Sequence, residues 1–257
     1  MNQRIVAFID ILGFKQQTED LQEKSLLDII SPLYFAEVSN YGQKKIYQDV
    51  GLGKLHTTEM TFFSDSIVIS CDTNQVSDLI LHIKKLSENF IEYGLFLRGG
   101  ITLGKLYHNE RIVFGPAMNE AYLLESGFAV YPRIIISDTV YSLIKSTTEP
   151  AVSEEVYKTL QSISQLNEDL KTINNISRDE DGFYYINPFP LSIALTAHVT
   201  SLGITSLDDF INYLKACIEK NLQKHMNNKK IFSKYFWLAS KFNRYYTSNT
   251  DIGIIEI

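Results

Sequence analysis

Two carboxylates stand where a folding chain ordinarily avoids them. Asp10 lies in the middle of RIVAFIDILGF, residues 4–14, a run apolar on both faces. Such a run suits the centre of a sheet covered on both sides. Asp65 lies in the turn of FFSDSIVIS, residues 62–70, again between apolar neighbours. An unpaired buried charge is costly, and two of them side by side also repel unless a divalent cation lies between them. Carboxylates are hard oxygen donors, which points to Mg²⁺ or Mn²⁺, ions that complete their shell with substrate phosphates. The chemistry suited to this pair is phosphoryl transfer with two metal ions.

The elements that position the pair follow from hydrophobic periodicity. Residues 4–13 read as a strand, and residues 18–41 as a helix that Pro32 breaks or kinks. MTFFSDSIVIS reads as a hairpin turning at Ser64-Asp65-Ser66. Val76, Leu79, Ile80, Ile83, Leu86, Phe90 and Ile91 mark an amphipathic helix that Gly94 ends. LFLRGGITLGKLYH is a strand, FGPAMNEAYLLES opens a helix behind Pro116, RIIIS is a buried strand, and residues 139–145 form a short helix. The order is βαββαβ with additions, hence an α/β sandwich of ferredoxin-like type. In that topology the first strand is central and the hairpin lies beside it, so Asp10 and Asp65 become neighbours.

Residues 147–182 are mostly polar, SRDEDG reads as a loop, and FYYI adds a strand. After NPFP the pattern turns helical. Ser206 caps a helix with Asp209 at its third position, and residues 229–246 form an aromatic-rich second helix containing Trp237. We therefore divide the chain at 1–188 and 189–257, the second part being a helical extension.

With 257 residues, 45% of them hydrophobic, the chain has ample material for a large core. A net charge of −6 with no basic tract argues against nucleic acid as a partner. Cys71 and Cys217 form neither a disulfide framework nor zinc spacing. There is no signal-peptide pattern and no apolar run of about 20 residues, so no membrane is expected and the expected location is the cytoplasm. Neither G-x-G-x-x-G nor a P-loop is present. His56, His82, His108, His198 and His225 lack ligand or triad spacing and read as structural or surface residues.

FIDILGF, FSDSIVIS, LRGGITLGKLY and VFGPAMNEAYLLES resemble, in that order, the motifs of class III nucleotidyl cyclases over residues 4–137. The resemblance implies that Asp10 and Asp65 are metal ligands, with the Ile11 carbonyl as a third. It implies that Asn119 positions the ribose or serves the transition state. It also implies a head-to-tail homodimer, in which Asn119 works on the metal site of the other chain. Purine cyclases read the base with a Lys and an Asp, and the matching positions here are Thr61 and Ile112. The transition-state Arg is replaced by Leu123, and the phosphate-binding Lys near the end of the domain has no counterpart around Gly182.

AYLLES, YPRIIIS and DEDGFYYI are similar to segments of the pyrimidine cyclases of bacterial Pycsar anti-phage systems. That similarity implies a lyase converting UTP or CTP to the 3′,5′-cyclic monophosphate, whose product acts on a separate effector protein. Phe114 and Tyr122 would narrow the base pocket to a single ring. Gly13 and Phe14, in the turn after Asp10, can offer backbone N–H groups to phosphates. With Leu123 in place of an Arg, Arg98 and Arg133 are the cations expected to face the leaving pyrophosphate. A cyclase-fold chain that has lost catalysis and only binds nucleotide is the alternative. A palm-type polymerase or diguanylate cyclase has no support, because the second acidic position is SDS rather than an adjacent acidic pair.

Overall fold

The structure is a computed structural model, and it describes residues 1–14, 31–34, 37, 45, 57–109, 111–146, 175–190, 197–246 and 253–256. Most of the helix expected at 18–41 lies outside the described residues; residues 31–34 are helical.

The central strand β1 is Asn2–Ile11, and Ile5, Val6, Ala7 and Ile9 are fully buried along it. Strands β2 (Glu59–Phe63) and β3 (Ser66–Asp72) form the expected hairpin. Its two-residue turn is Ser64-Asp65, and Ser64 takes a φ of 56°. Helix α1 is Val76–Glu92 and β4 is Leu97–His108. A two-residue strand β5, Val113–Phe114, folds back on β4. Helix α2 is Pro116–Gly127, β6 is Ile134–Ile136 and α3 is Asp138–Ser146. Strands β7 (Ile176–Arg178) and β8 (Tyr184–Ile186) form a second hairpin. The chain ends in α4 (Ala197–Ser201), α5 (Leu207–Lys224) and α6 (Lys229–Tyr246).

The strands lie in the order β2-β3-β1-β4-β6-β8-β7. β1 is antiparallel to both β3 and β4, and β6 runs parallel to β4 after the crossover through α2. The first four strands thus have the ferredoxin-like arrangement that the βαββαβ reading requires. β5 and β7 were not visible as strands in the sequence: β5 has two residues and β7 lies in a polar stretch, so neither shows a periodicity.

Side chains alternate across the sheet. Ile5, Ala7, Ile9 and Ile11 join α1 and α3 in one core cluster. Val6 and the partly buried Phe8 face the other way and contact Leu106, Ala117 and Ala121 beneath α2. Helix and sheet approach closely at Gly100, where an added Cβ would meet the Ala121 carbonyl at 2.6 Å. That glycine lets the helix lie directly on β4. A further cluster joins α5 and α6 to Leu12, Ile91, Phe96, Tyr185 and Phe189, so the C-terminal helices sit against the ends of β1, β4 and β8. Ser206 and Asp209 form a reciprocal capping box at the start of α5, as the sequence indicates. No helix among the described residues is long and apolar enough to cross a membrane.

Candidate active site

Asp10 is the second-last residue of β1, in register with Ser66 of β3 and Arg98 of β4. Asp65 occupies the β2–β3 turn, and the Ile11 N–H donates to its backbone oxygen at 3.0 Å. This bond holds the turn against the end of β1, and the two carboxyls interact directly. Burial raises the pKa of Asp10; Arg98 opposes the rise and Asp65 adds to it. The Arg98 Nε donates to Asp10 Oδ2 at 2.8 Å. Its Nη2 stands 2.6 Å from Oε1 of Glu125 on α2, whose side chain is only 3% exposed. Burial raises Glu125 as well, against the pull of Arg98. One guanidinium therefore serves two carboxylates, with a third, Asp65, beside them.

The donor set fits a hard divalent cation. Asp10 and Asp65 present carboxylate oxygens at one spot, where burial, with Asp65 adding to it, raises the pKa of Asp10 against the pull of Arg98. Among the described residues no group of three or more His, Cys, Asp or Glu side chains could hold a metal. Backbone oxygen, water and substrate would complete the shell of such a cation.

The remaining sequence candidates fall in three places. Gly13 follows the site with a φ of 79°, exposed in the turn, while the Phe14 ring rests on the core beneath α1. On the α2 side of the sheet, Ile112, Phe114 and Tyr122 are about half exposed and Asn119 is exposed. Phe114 stacks on Tyr107 at a tilt, and the Tyr122 ring meets Phe8 edge-on at a centroid distance of 5.4 Å. Asn119 is not among the groups that touch Asp10 within the chain. Thr61 lies on β2, its Oγ1 3.0 Å from Nε2 of His108. Nδ1 of His108 is 2.8 Å from Oγ of Ser70, which accepts from Arg4 Nε at 3.1 Å. Burial, and secondarily the charge of Arg4, lower the pKa of His108 to about 4, so it is neutral at pH 7.

Arg133 corrects its expected position. Its side chain is 1% exposed and its guanidinium is held by Asp179 and Asp181. It ties β6 to the turn before β8 and is not available to a pyrophosphate. YPRI and DEDG are therefore two halves of one buried ion-pair network.

Sequence reasoning missed three polar groups around the site. Glu125 follows Ala117 and Ala121 at intervals of four, a spacing that places it on the buried face of α2. His108 ends a strand whose alternation turns it toward Thr61. Lys234, on α6, gave no signal, because its place depends on how the extension docks on the sheet.

No protein-family model matches the chain, and no curated protein does either. Solved structures do. The adenylyl cyclase CyaB from P. aeruginosa is similar at 24% identity, over 56% of this chain and 81% of that one, with a TM-score of 0.37. The monomeric guanylyl cyclase domain of the RhoGC fusion protein from the aquatic fungus Blastocladiella emersonii is similar at 14% identity, over 72% of this chain and 94% of that one, with a TM-score of 0.45. A bacterial light-regulated adenylyl cyclase is similar at 18% identity, over 55% and 78% of the two chains, with a TM-score of 0.38.

Proposed function

We propose that the chain is a nucleotidyl cyclase that converts UTP or CTP to the 3′,5′-cyclic monophosphate and pyrophosphate. The observation that carries this reading is the pairing of Asp10 with Asp65 at the end of the central strand, under Arg98. In the reaction the ribose 3′-oxygen attacks the α-phosphorus and loses its proton. The bond from that phosphorus to the pyrophosphate breaks. Two Mg²⁺ or Mn²⁺ ions held by Asp10, Asp65 and the Ile11 carbonyl would activate the hydroxyl and neutralise phosphate charge. The chain itself supplies position. Arg98 faces the phosphates, the turn at Gly13 and Phe14 offers N–H groups, and Asn119 orients the ribose. The product is a messenger for a separate effector protein in anti-phage defence, a role that the resemblance of the AYLLES, YPRIIIS and DEDGFYYI segments supports, and the enzyme acts in the cytoplasm.

The base reading rests on Thr61, Ile112, Phe114 and Tyr122. Ile112 removes a polar group that a purine reader needs, and the two rings can fill the space of the missing second ring. We assign the Ser70 hydroxyl, whose oxygen accepts from Arg4 Nε, as donor to His108 Nδ1. Neutral His108 then donates from Nε2 to Thr61, leaving the Thr61 hydroxyl as a donor. A donor suits carbonyl oxygens, of which uracil has two and cytosine one. In a competition among four NTPs at equal concentration with Mn²⁺, cyclic UMP is expected to lead, then cyclic CMP. Preferential formation of cyclic AMP or cyclic GMP overturns the pocket. Absence of every product from protein that binds nucleotide favours the catalytically silent alternative, for which the exposed Leu123 speaks.

The working unit is a homodimer. Phe63 is 80% exposed on the same sheet face as Asp10, and Ile112, Phe114, Tyr122 and Leu123 are also exposed. Burying such residues favours association. Asn119 then reaches the metal site of the other chain. Mixing Asp65→Ala with Asn119→Ala chains is expected to restore up to one working site per mixed dimer. A demonstrably mixed dimer with no recovered turnover contradicts this arrangement.

A further inference from the structure

A cavity of about 310 Å³ opens between the β7–β8 hairpin and α6. That volume is at the lower end of the range for small-molecule sites, which starts at about 300 Å³. β4 and β6 separate β8 from β1, so β8 lies three strand spacings, about 14 Å, from the strand that carries Asp10. The cavity is therefore no part of the Asp10 and Asp65 site.

Three cations line it, Arg178 of β7 and Lys241 and Arg244 of α6, and among the described residues no carboxylate does. The Lys241 side chain is 7% exposed. Two of its three N–H groups go to Asp179 and Glu180, and the third meets no oxygen acceptor among the described residues. Arg244 is exposed and pairs with Glu180 through Nη1 at 3.1 Å. Arg178 meets no carboxylate among the described residues. Its Nε donates to the Gly182 carbonyl at 3.2 Å, and its guanidinium stands 5.5 Å from the centre of the Tyr184 ring. Asn187, 6% exposed, also lines the cavity. Its Oδ1 accepts from the Phe189 N–H at 3.0 Å, while its Nδ2 has no acceptor among the described residues. Two buried donors thus face a space whose contents must supply what they lack.

The apolar wall is made by Phe189 and Tyr245, whose rings lie 5.5 Å apart between centroids at a tilt of 31°. Phe189 is fully enclosed and Tyr245 is half-buried. Guanidinium and ammonium groups with spare donors suit a compact anion of more than one negative charge, above all a phosphate monoester. An aromatic side chain beside them offers a face on which a planar ring can stack. The small volume leaves room for one phosphate and one ring system.

We propose that this cavity binds a mononucleotide, its phosphate held by Arg178, Lys241 and Arg244 and its base against Tyr245. The site is additional to the cyclase reading and does not depend on it. Its ligand joins the β7–β8 hairpin to α6, because the phosphate oxygens bridge cations of both elements.

The test uses the full chain in EDTA, which removes nucleotide binding through a divalent cation at Asp10 and Asp65. UMP, uridine and inorganic phosphate are titrated by calorimetry into wild type, Arg178→Gln, Arg244→Gln, Tyr245→Leu and the exposed control Lys224→Ala. Wild type is expected to bind UMP roughly 10-fold or more tightly than either phosphate or uridine. Each arginine variant is expected to weaken UMP roughly 10-fold, the scale of a hydrogen bond to a charged group. Tyr245→Leu is expected to weaken UMP by about the same factor while phosphate affinity stays unchanged. Lys224→Ala is expected to bind UMP as wild type does. Amide hydrogen exchange of the wild type is expected to slow at residues 176–189 and 241–246 when UMP is added. A wild type that does not bind UMP, or that binds phosphate as tightly as UMP, overturns the proposal. UMP affinity unchanged in both arginine variants overturns it as well. Exchange slowed only around residues 10–14, 61–66 and 98 places the nucleotide at the first site and also overturns it. The exchange measurement decides the matter where a variant fails to fold.

Discussion

Asp10→Asn or Asp65→Asn is expected to abolish turnover of every NTP, a loss on the order of 10³-fold or more, equal to several kcal/mol of transition-state stabilisation. The fold is expected to survive in both variants. Each amide keeps the shape and loses the charge that a divalent cation needs. The stability readout separates a site from a structural ion pair. Asp10 forms a 2.8 Å contact with Arg98, and a structural pair would lose stability when broken. Yet burial and Asp65 together outweigh Arg98, so the folded-state pKa of Asp10 is raised. A carboxyl with a raised folded pKa holds its proton more tightly in the folded chain. Its ionisation, as pH rises above the unfolded value, therefore takes stability away. Asp10→Asn removes that loss, so the melting temperature at pH 7 is expected to equal or exceed the wild type. Product formation with Mn²⁺ and a thermal melt check the two halves separately. Undiminished turnover with either amide in place would end the metal-site reading.

That pair was legible in the sequence because strand periodicity is a local property. β1 is apolar at every position from Ile5 to Ile9, and one charge inside such a run stands out whatever the rest of the chain does. The hairpin around Asp65 was legible for the same reason, and the neighbouring placement followed from the order of elements. Glu125 was harder to see. Its role depends on the depth at which α2 lies on β4, which Gly100 sets by letting the Ala121 backbone come close. Arg133 was misread because an arginine beside an apolar strand has two solutions, a ligand or a buried partner. The partners, Asp179 and Asp181, lie 46 and 48 residues away in a segment that shows no periodicity. Lys234 belongs to the same class. Its helix was evident, but the surface that helix covers is fixed by aromatic contacts of Trp237 and Tyr235 with residues more than 100 positions earlier in the sequence, which no local pattern encodes.

Arg133→Met is expected to destabilise the chain by about 3–5 kcal/mol, the effect of removing one partner from a buried pair. Its guanidinium is enclosed by the rings of Tyr131, Phe183 and Trp237, each within 6 Å of its centre, and both its terminal nitrogens donate to carboxylates. Asp179 also accepts from Trp237 Nε1 at 2.9 Å and pairs with Lys241 at 2.7 Å. Loss of Arg133 leaves the Asp179 carboxylate, 3% exposed, with a single cation. The hydrophobic replacement keeps contact with the three rings, so the deficit reads the charge and not a cavity. A double variant, Arg133→Met with Asp179→Leu, removes the stranded charge and is expected to recover much of the loss, as replacement of a whole buried pair often does. The same network sets the acid response. Burial alone would raise Asp179, but the hydrogen bonds at Glu180 and from Lys241, with the charge of Arg133, hold it well below the ordinary carboxylate range. A depressed folded pKa gives stability that is present above the unfolded value and is lost as pH falls below it. Urea denaturation at pH 7 and at pH 3 is therefore expected to show a smaller deficit for Arg133→Met at the lower pH. A loss below about 1 kcal/mol at pH 7, the scale of an exposed ion pair, would mean that the network does not hold α6 to the sheet.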